Sequence, residues 1–221
     1  MRKNYLLTGG NGRLGTELRK LDEFMCPNRN ELELTNLKQL KNTIDKLSPS
    51  LIVHAAAYTN VAVADQDPQE AIKCFNSNVI GTKNLVTAST CPIIHISTES
   101  VIHPCNFYSL TKLQSELEMK KHFSYTIIRT GMGPRPFPYD VAPYDMWTIG
   151  DYIDIIAKKI HQVIELPCQN ETIYVGTGIK SVYDLASQSR DDVKKVSYKD
   201  VPFPLAPMDE LLTIREVCLD Q

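Results

Sequence analysis

A tyrosine and a lysine four positions apart open the stretch Tyr108-Ser109-Leu110-Thr111-Lys112. On a helix that spacing puts both side chains on one face. An ammonium beside a phenol, next to an oxidised nicotinamide, favours the phenolate and lowers the tyrosine pKa. A hydroxyl tuned in this way can pass a proton to or from a carbonyl during hydride transfer. Thr98, in Ser97-Thr98-Glu99, would supply a second hydrogen bond to the reacting oxygen. The same Tyr/Lys spacing also describes an ordinary helix face. What favours chemistry is its place just after a predicted strand that ends in Ser-Thr.

Hydride transfer needs a carrier, and the segment Thr8-Gly9-Gly10-Asn11-Gly12-Arg13-Leu14-Gly15 is built for one. It lies between a short apolar run and a helical pattern. There one glycine permits the tight turn, one lets the backbone approach a pyrophosphate, and one allows close helix–sheet packing. Gly9, Gly12 and Gly15 have that spacing. The free N–H groups of the following turn, where Arg13 and Leu14 stand, then hold the diphosphate.

Two further segments bear on the cofactor. Ala55-Ala56-Ala57 follows a buried strand, and such small residues let a dinucleotide lie flat on the backbone, although helix packing would select them too. Arg29 stands where the second strand ends near the adenine ribose, and the nearest carboxylate is Glu31. An arginine there reads a 2′-phosphate, whereas an NAD-preferring site commonly has an acidic residue. Arg29, joined by Arg13, therefore tilts the expectation from NAD(H) toward NADP(H); a solvated loop arginine is the alternative.

The elements that must position these residues alternate short apolar runs with amphipathic stretches, the pattern of a parallel sheet wrapped by helices. Strands are predicted at Tyr5–Leu7, Phe24–Cys26, Leu51–Ala55, Ile93–Ile96 and Tyr125–Ile128. Helices are predicted at Arg13–Phe24, Asn36–Leu47, Pro68–Ser89 and Tyr108–His122. This is a doubly wound, Rossmann-type α/β order, in which ligands sit at the carboxyl ends of the strands. From Gly131 the texture changes. Pro134, Pro136, Pro138 and Pro143 rule out a helix or central strand, so residues 1–131 read as the dinucleotide-binding domain and 132–221 as a small C-terminal lobe. Within the lobe a helix at Tyr152–Ile164 and a strand at Thr172–Val175 return to the sheet. A short helix at Val182–Ser187 follows, and the stretch with Pro202, Pro204 and Pro207 reads as irregular.

Composition narrows the function classes. The chain has 221 residues, a net charge of −2 and a hydrophobic fraction of 43%. That is an ordinary globular balance with no electrostatic footprint for nucleic acid or anionic lipid. The opening apolar run is too short for a signal peptide and no run of spanning length follows, so a cytoplasmic protein is expected. Cys26, Cys74, Cys91, Cys105, Cys168 and Cys218 include no C-x-x-C spacing, and no histidine pair sits at ligand spacing from them. Neither a metal site nor a disulfide framework is expected, and Cys26, Cys74 and Cys91 read as buried thiols.

Taken in order, these motifs resemble the extended short-chain dehydrogenase/reductase superfamily, and within it the dTDP-4-dehydrorhamnose reductases. The likeness runs through Thr8–Gly15, Arg29–Asn36, Ala55–Thr59, Asn78–Leu85, Ile96–Glu99, Tyr108–Glu116 and Ile127–Thr130. It implies nicotinamide-dependent reduction of a 4-keto-6-deoxy sugar carried on a nucleoside diphosphate. The family's catalytic threonine, tyrosine and lysine fall on Thr98, Tyr108 and Lys112, and Tyr108 and Lys112 also meet the cofactor. Epimerases and dehydratases of the superfamily use the same Tyr/Lys hydride chemistry. The chain departs from the pattern in three places. Glu99 and Ser100 replace the usual aspartate and aromatic, with Glu99 expected on the substrate side. Only Val101 to Phe107 precede the tyrosine, and a helix and strand are missing after Gly131. The Arg135 region is the candidate source of partners for a sugar diphosphate. So reduced a lobe also fits a non-catalytic cofactor-binding subunit, and a homodimer is left open.

Overall fold

The computed structural model describes residues 3–201 and 205–213; Pro202, Pro204 and Cys218 of the sequence reading lie outside the described residues. The chain begins with β1 (Tyr5–Thr8), the glycine segment and a short α1 (Arg13–Leu18). Next come α2 (Leu37–Leu47), capped by the Asn36 side chain, and β2 (Leu51–His54). Then α3 (Val61–Gln66) leads to α4 (Pro68–Phe75), whose cap is Asp67. A π-helical turn (Asn76–Ile80) joins α4 to α5 (Gly81–Ala88), and β3 (Ile93–Ile96) follows. A 3₁₀ turn (Glu99–Val101) precedes α6 (Phe107–Met119), which starts in a capping box of Asn106 and Ser109, and β4 (Tyr125–Arg129) closes this half.

Past Gly131 come the short strands β5 (Met132–Gly133), β6 (Val141–Pro143), β7 (Trp147–Thr148) and β8 (Asp151–Tyr152). They are followed by α7 (Ile153–Ile164), β9 (Glu171–Tyr174), β10 (Lys180–Ser181), α8 (Val182–Ser187) and β11 (Lys194–Val196). The main sheet is parallel in the order β1-β2-β3-β4-β9, while β5–β8, β6–β11 and β7–β10 form three two-stranded pairs.

The period of two in each strand decides how the core is divided. Leu7, Val53, Ile94 and Ile128 face α1 and α7, where they meet Leu14, Leu18, Ile156 and Ile160. Leu6, Ile52, Ile93 and Ile127 face the other way, onto Leu40 and Ile44 of α2, Leu85 of α5 and Met119 of α6. Each such fully buried aliphatic side chain contributes roughly 1.5–3 kcal/mol. α7 and β9 therefore complete the sheet and its cover although they follow the proline-rich stretch.

Three predicted elements change. Phe24–Cys26 shrinks to one parallel bridge, Met25 to Leu6, held by Leu7 N–H on Met25 O and Met25 N–H on Tyr5 O. Pro27 has no N–H with which to extend the ladder. The first helix stops at Leu18, and Leu21, third in its stripe, lies beyond it and is exposed. The long helix at 68–89 is broken by the π turn, which carries Asn78 into the protein. Met25 lies on one side of β1 and β2 on the other, so the chain reverses its direction across the sheet at β1. That reversal opens a crevice at the carboxyl ends of β1 and β2.

Candidate active site

The glycine segment closes over the end of β1. Gly12 N–H donates to Gly9 O at 2.9 Å, and Gly9 has φ +74°, a backbone geometry that favours glycine. A Cβ on Gly9 would lie 2.7 Å from Ala56 N, and one on Gly15 would lie 2.3 Å from Gly9 O. Gly9 thus seats the loop on the end of β2, and Gly15 lets α1 pack beneath it. Gly12 differs. Its Cβ would meet only Gly9 O, at 3.1 Å, and the residue is exposed toward the crevice.

Two cavities of about 280 and 400 Å³ meet over Gly9, Gly12, Ala55 and Ala57. Together they run along the carboxyl ends of β1 to β4, a channel for an elongated two-part ligand. The smaller is lined by Asn28, Arg29, Glu33 and Thr35, with Ala56 also on its wall. Arg29 is 82% exposed and its Nε donates to Glu33 Oε2 at 2.9 Å. Partial burial works to raise the Glu33 pKa, but hydrogen bonds from Arg29 and Thr35 outweigh it and hold the carboxyl below its ordinary value. The acidic partner is therefore Glu33, one helical turn on. Glu31, the carboxylate nearest in sequence, instead accepts the N–H of Asn28.

The larger cavity gathers Arg13, Leu14, Gly15, Thr98, Glu99, Ser100, Tyr108 and Lys112. Capping by Asn106 starts α6 so that Tyr108 and Lys112 face this space together. Lys112 is buried, and its Nζ donates to Ile96 O at 2.8 Å. Burial brings the ammonium down to about 8, against the opposing pull of Glu116. Burial also pushes the Tyr108 phenol up to about 12. The lowered phenol pKa expected from the Tyr/Lys spacing needs an oxidised nicotinamide beside the ring; with Lys112 Nζ turned to Ile96 O, burial sets the direction here.

Thr98 caps the 3₁₀ turn, its Oγ1 accepting from Ser100 N at 3.2 Å. Glu99 does not turn its carboxylate loose into the cavity. Oε1 accepts from Thr148 Oγ1 at 2.6 Å and Oε2 from Ile149 N at 3.0 Å, so it ties the end of β3 to the C-terminal lobe. Burial, its largest influence, raises the Glu99 pKa. Arg135 lines neither cavity; its guanidinium lies 4.4 Å from the ring centre of Tyr152.

Beneath the site lies a polar layer that the sequence reading missed. Glu116, one turn after Lys112, is 1% exposed and takes Arg129 Nη2 at 2.7 Å, Arg129 Nε at 3.0 Å and Ser97 Oγ at 2.6 Å. Arg129 Nη1 donates to Tyr174 Oη at 2.7 Å. Asn78 accepts from Tyr58 N and donates to Thr111 Oγ1, joining the loop after β2 to α6. His54 and His95 stack at 5.1 Å, both kept neutral chiefly by burial and secondly by Lys112. Only the spacing of Glu116 four residues after Lys112 hinted at any of this.

A match to the family of RmlD substrate binding domains covers residues 3–132. The chain belongs to this family. It is 29% identical to the dTDP-4-dehydrorhamnose reductase of Aggregatibacter actinomycetemcomitans over 179 aligned positions, 70% of this chain and 55% of that protein. The chain thus spans about half the length of that relative. Its fold resembles the dTDP-4-dehydrorhamnose reductase of Bacillus anthracis solved in complex with NADP, with TM-score 0.76 and 22% identity over 94% of this chain and 89% of that one. It also resembles the Thermus thermophilus UDP-glucose 4-epimerase solved with NAD, with TM-score 0.68 and 16% identity over 96% and 93%. The extended short-chain dehydrogenase/reductase likeness and the Rossmann-type fold are thus both established. No helix among the described residues is long and apolar enough to cross a membrane.

Proposed function

We propose that this protein is a cytoplasmic NAD(P)H-dependent reductase of a 4-keto-6-deoxy sugar carried on a nucleoside diphosphate. The observation that carries the reading is the convergence of Thr98, Tyr108 and Lys112 on one cavity that continues into the glycine-lined channel. The channel fits a dinucleotide: Gly12 presents bare backbone to it, at the place where both cavities meet. Residues 1–131 hold the cofactor and 132–221 form the substrate lobe. The backbone of Gly9 to Gly15 takes the diphosphate, with Arg13 and Leu14 in the turn that follows. Ala55, Ala56 and Ala57 form the floor, and Arg29 reads a 2′-phosphate, so NADP(H) is preferred over NAD(H).

Bound reduced nicotinamide supplies a hydride. The Tyr108 hydroxyl donates its proton to the carbonyl oxygen as negative charge develops there. Lys112, whose Nζ donates to Ile96 O, is the residue that would hold the nicotinamide ribose. Thr98 orients the carbonyl from the other wall of the cavity. Glu99 acts by fixing that wall to the lobe.

The test is cofactor oxidation on a panel of nucleotide-linked 4-keto-6-deoxy sugars; at least one should be reduced. The short loop of Val101 to Phe107 before Tyr108 and the small C-terminal lobe favour one other reading, a cofactor-binding subunit without catalysis. Tight cofactor binding with no turnover on the whole panel would favour that reading instead.

A further inference from the structure

Which hydroxyl faces the substrate opposite Tyr108 is decided by counting protons. Three candidates stand at the end of β3: Ser97, Thr98 and Ser100. Ser97 is buried and its single proton goes to Glu116 Oε1 at 2.6 Å. Thr98 Oγ1 accepts from Ser100 N at 3.2 Å and donates to Ser100 Oγ at 3.3 Å. In this arrangement the one proton of Thr98 is directed at Ser100 Oγ rather than into the cavity. Ser100 Oγ receives that proton and keeps its own. It is half-buried and lines the same cavity as Tyr108.

We propose that Ser100 is the second donor to the substrate carbonyl oxygen, and that Thr98 is a positioning residue acting through it. The proposal rests on the reductase reading and changes one assignment within it. The sugar carbon would be reduced by a hydride from the reduced nicotinamide, which would be left oxidised; as that C–H bond forms, the carbonyl π pair moves onto oxygen. The Tyr108 O–H bond breaks and its proton goes to that oxygen. The Ser100 proton stays on Ser100 throughout and stabilises the developing charge. The backbone N–H of Ser100 on Thr98 Oγ1 and the Thr98 proton on Ser100 Oγ hold the donor in place, the preorganisation that makes such bonds effective in a site shielded from water.

The experiment is steady-state kinetics with saturating cofactor and a nucleotide-linked 4-keto-6-deoxy sugar that the parent reduces. Ser100→Ala should lower kcat about a hundredfold, as for loss of one oxyanion donor. KM and cofactor affinity should stay close to parental, a split that a general loss of structure would not give. Ser100→Thr restores the hydroxyl and should recover most of kcat. Thr98→Val should cost less than Ser100→Ala, and the double variant should be no worse than Ser100→Ala alone, because both act on one donor. Parental kcat in Ser100→Ala overturns the proposal while leaving the reductase reading intact, and so does a Thr98→Val loss that exceeds it. A parent that binds cofactor but reduces no sugar overturns both, and is told apart because the parent itself is silent.

Discussion

Arg129→Met tests whether the polar layer under the site holds it in register. Glu116 is 1% exposed and Arg129 is its one cationic partner among the hydrogen bonds of the described residues. Removing the guanidinium leaves a carboxylate in the interior with Ser97 as its hydrogen-bond partner, and breaking a buried pair from one side costs about 3–5 kcal/mol. For a domain of this size each kcal/mol lowers Tm by roughly 2–4 °C, so the variant should melt about 6–20 °C below the parent. Glu116→Gln in the same background removes the stranded charge. The double variant should therefore recover at least half of the loss, because a buried pair replaced as a whole is nearly neutral. Scanning calorimetry of the parent, both singles and the double gives the coupling energy directly. Strictly additive losses would refute the reasoning, since they would mean that the two side chains act independently and do not clamp α6 to β4.

Three further outcomes follow from the geometry. Gly12→Val should weaken NADPH binding at least tenfold in calorimetry, with Tm nearly unchanged, because its Cβ meets only Gly9 O; Gly15→Ala should instead lower Tm. Arg29→Ala should shrink the ratio of NADH to NADPH dissociation constants by about tenfold, a modest value for so exposed a guanidinium; an unmoved ratio assigns the 2′-phosphate elsewhere. Lys112 has a folded pKa of about 8 against about 10.4 unfolded, so the unfolded chain binds more protons between those values and stability rises with pH there. The parent-minus-Lys112→Met stability difference should be flat below pH 8 and rise by about 3 kcal/mol toward pH 10.4; a flat line through that window contradicts a buried ammonium.

The parts of the site that were legible are those written locally. Glycines at 9, 12 and 15 answer to one turn, and Tyr108 and Lys112 to one helical period, so spacing alone groups them. Glu33 was overlooked for Glu31 because the choice depends on which carboxylate the Arg29 fork can reach, and side-chain reach is not a matter of sequence distance. Glu99 was read as a substrate contact because it follows Thr98, but its partners Thr148 and Ile149 come from a distant segment and take both oxygens. The pairing of Glu116 with Arg129 joins a helix face to a strand end, a contact that no periodicity encodes. In the sheet, Ile93–Ile96 and Tyr125–Ile128 are plain because central strands are largely apolar; the second runs one residue further, to Arg129. The strand expected at Phe24–Cys26 is a single bridge because Pro27, directly after it, has no N–H with which to extend the ladder.

The central claim is that Tyr108 protonates the oxygen of a sugar carbonyl as that carbon takes a hydride. Its most direct test is the oxidation of bound reduced nicotinamide by a nucleotide-linked 4-keto-6-deoxy sugar, followed in single turnovers for the parent and for Tyr108→Phe. The account predicts that the parent consumes one cofactor per sugar. It also predicts that the variant, which loses one hydroxyl, slows by about 10²–10⁴-fold with cofactor affinity unchanged. A Tyr108→Phe rate equal to the parent's would contradict the account.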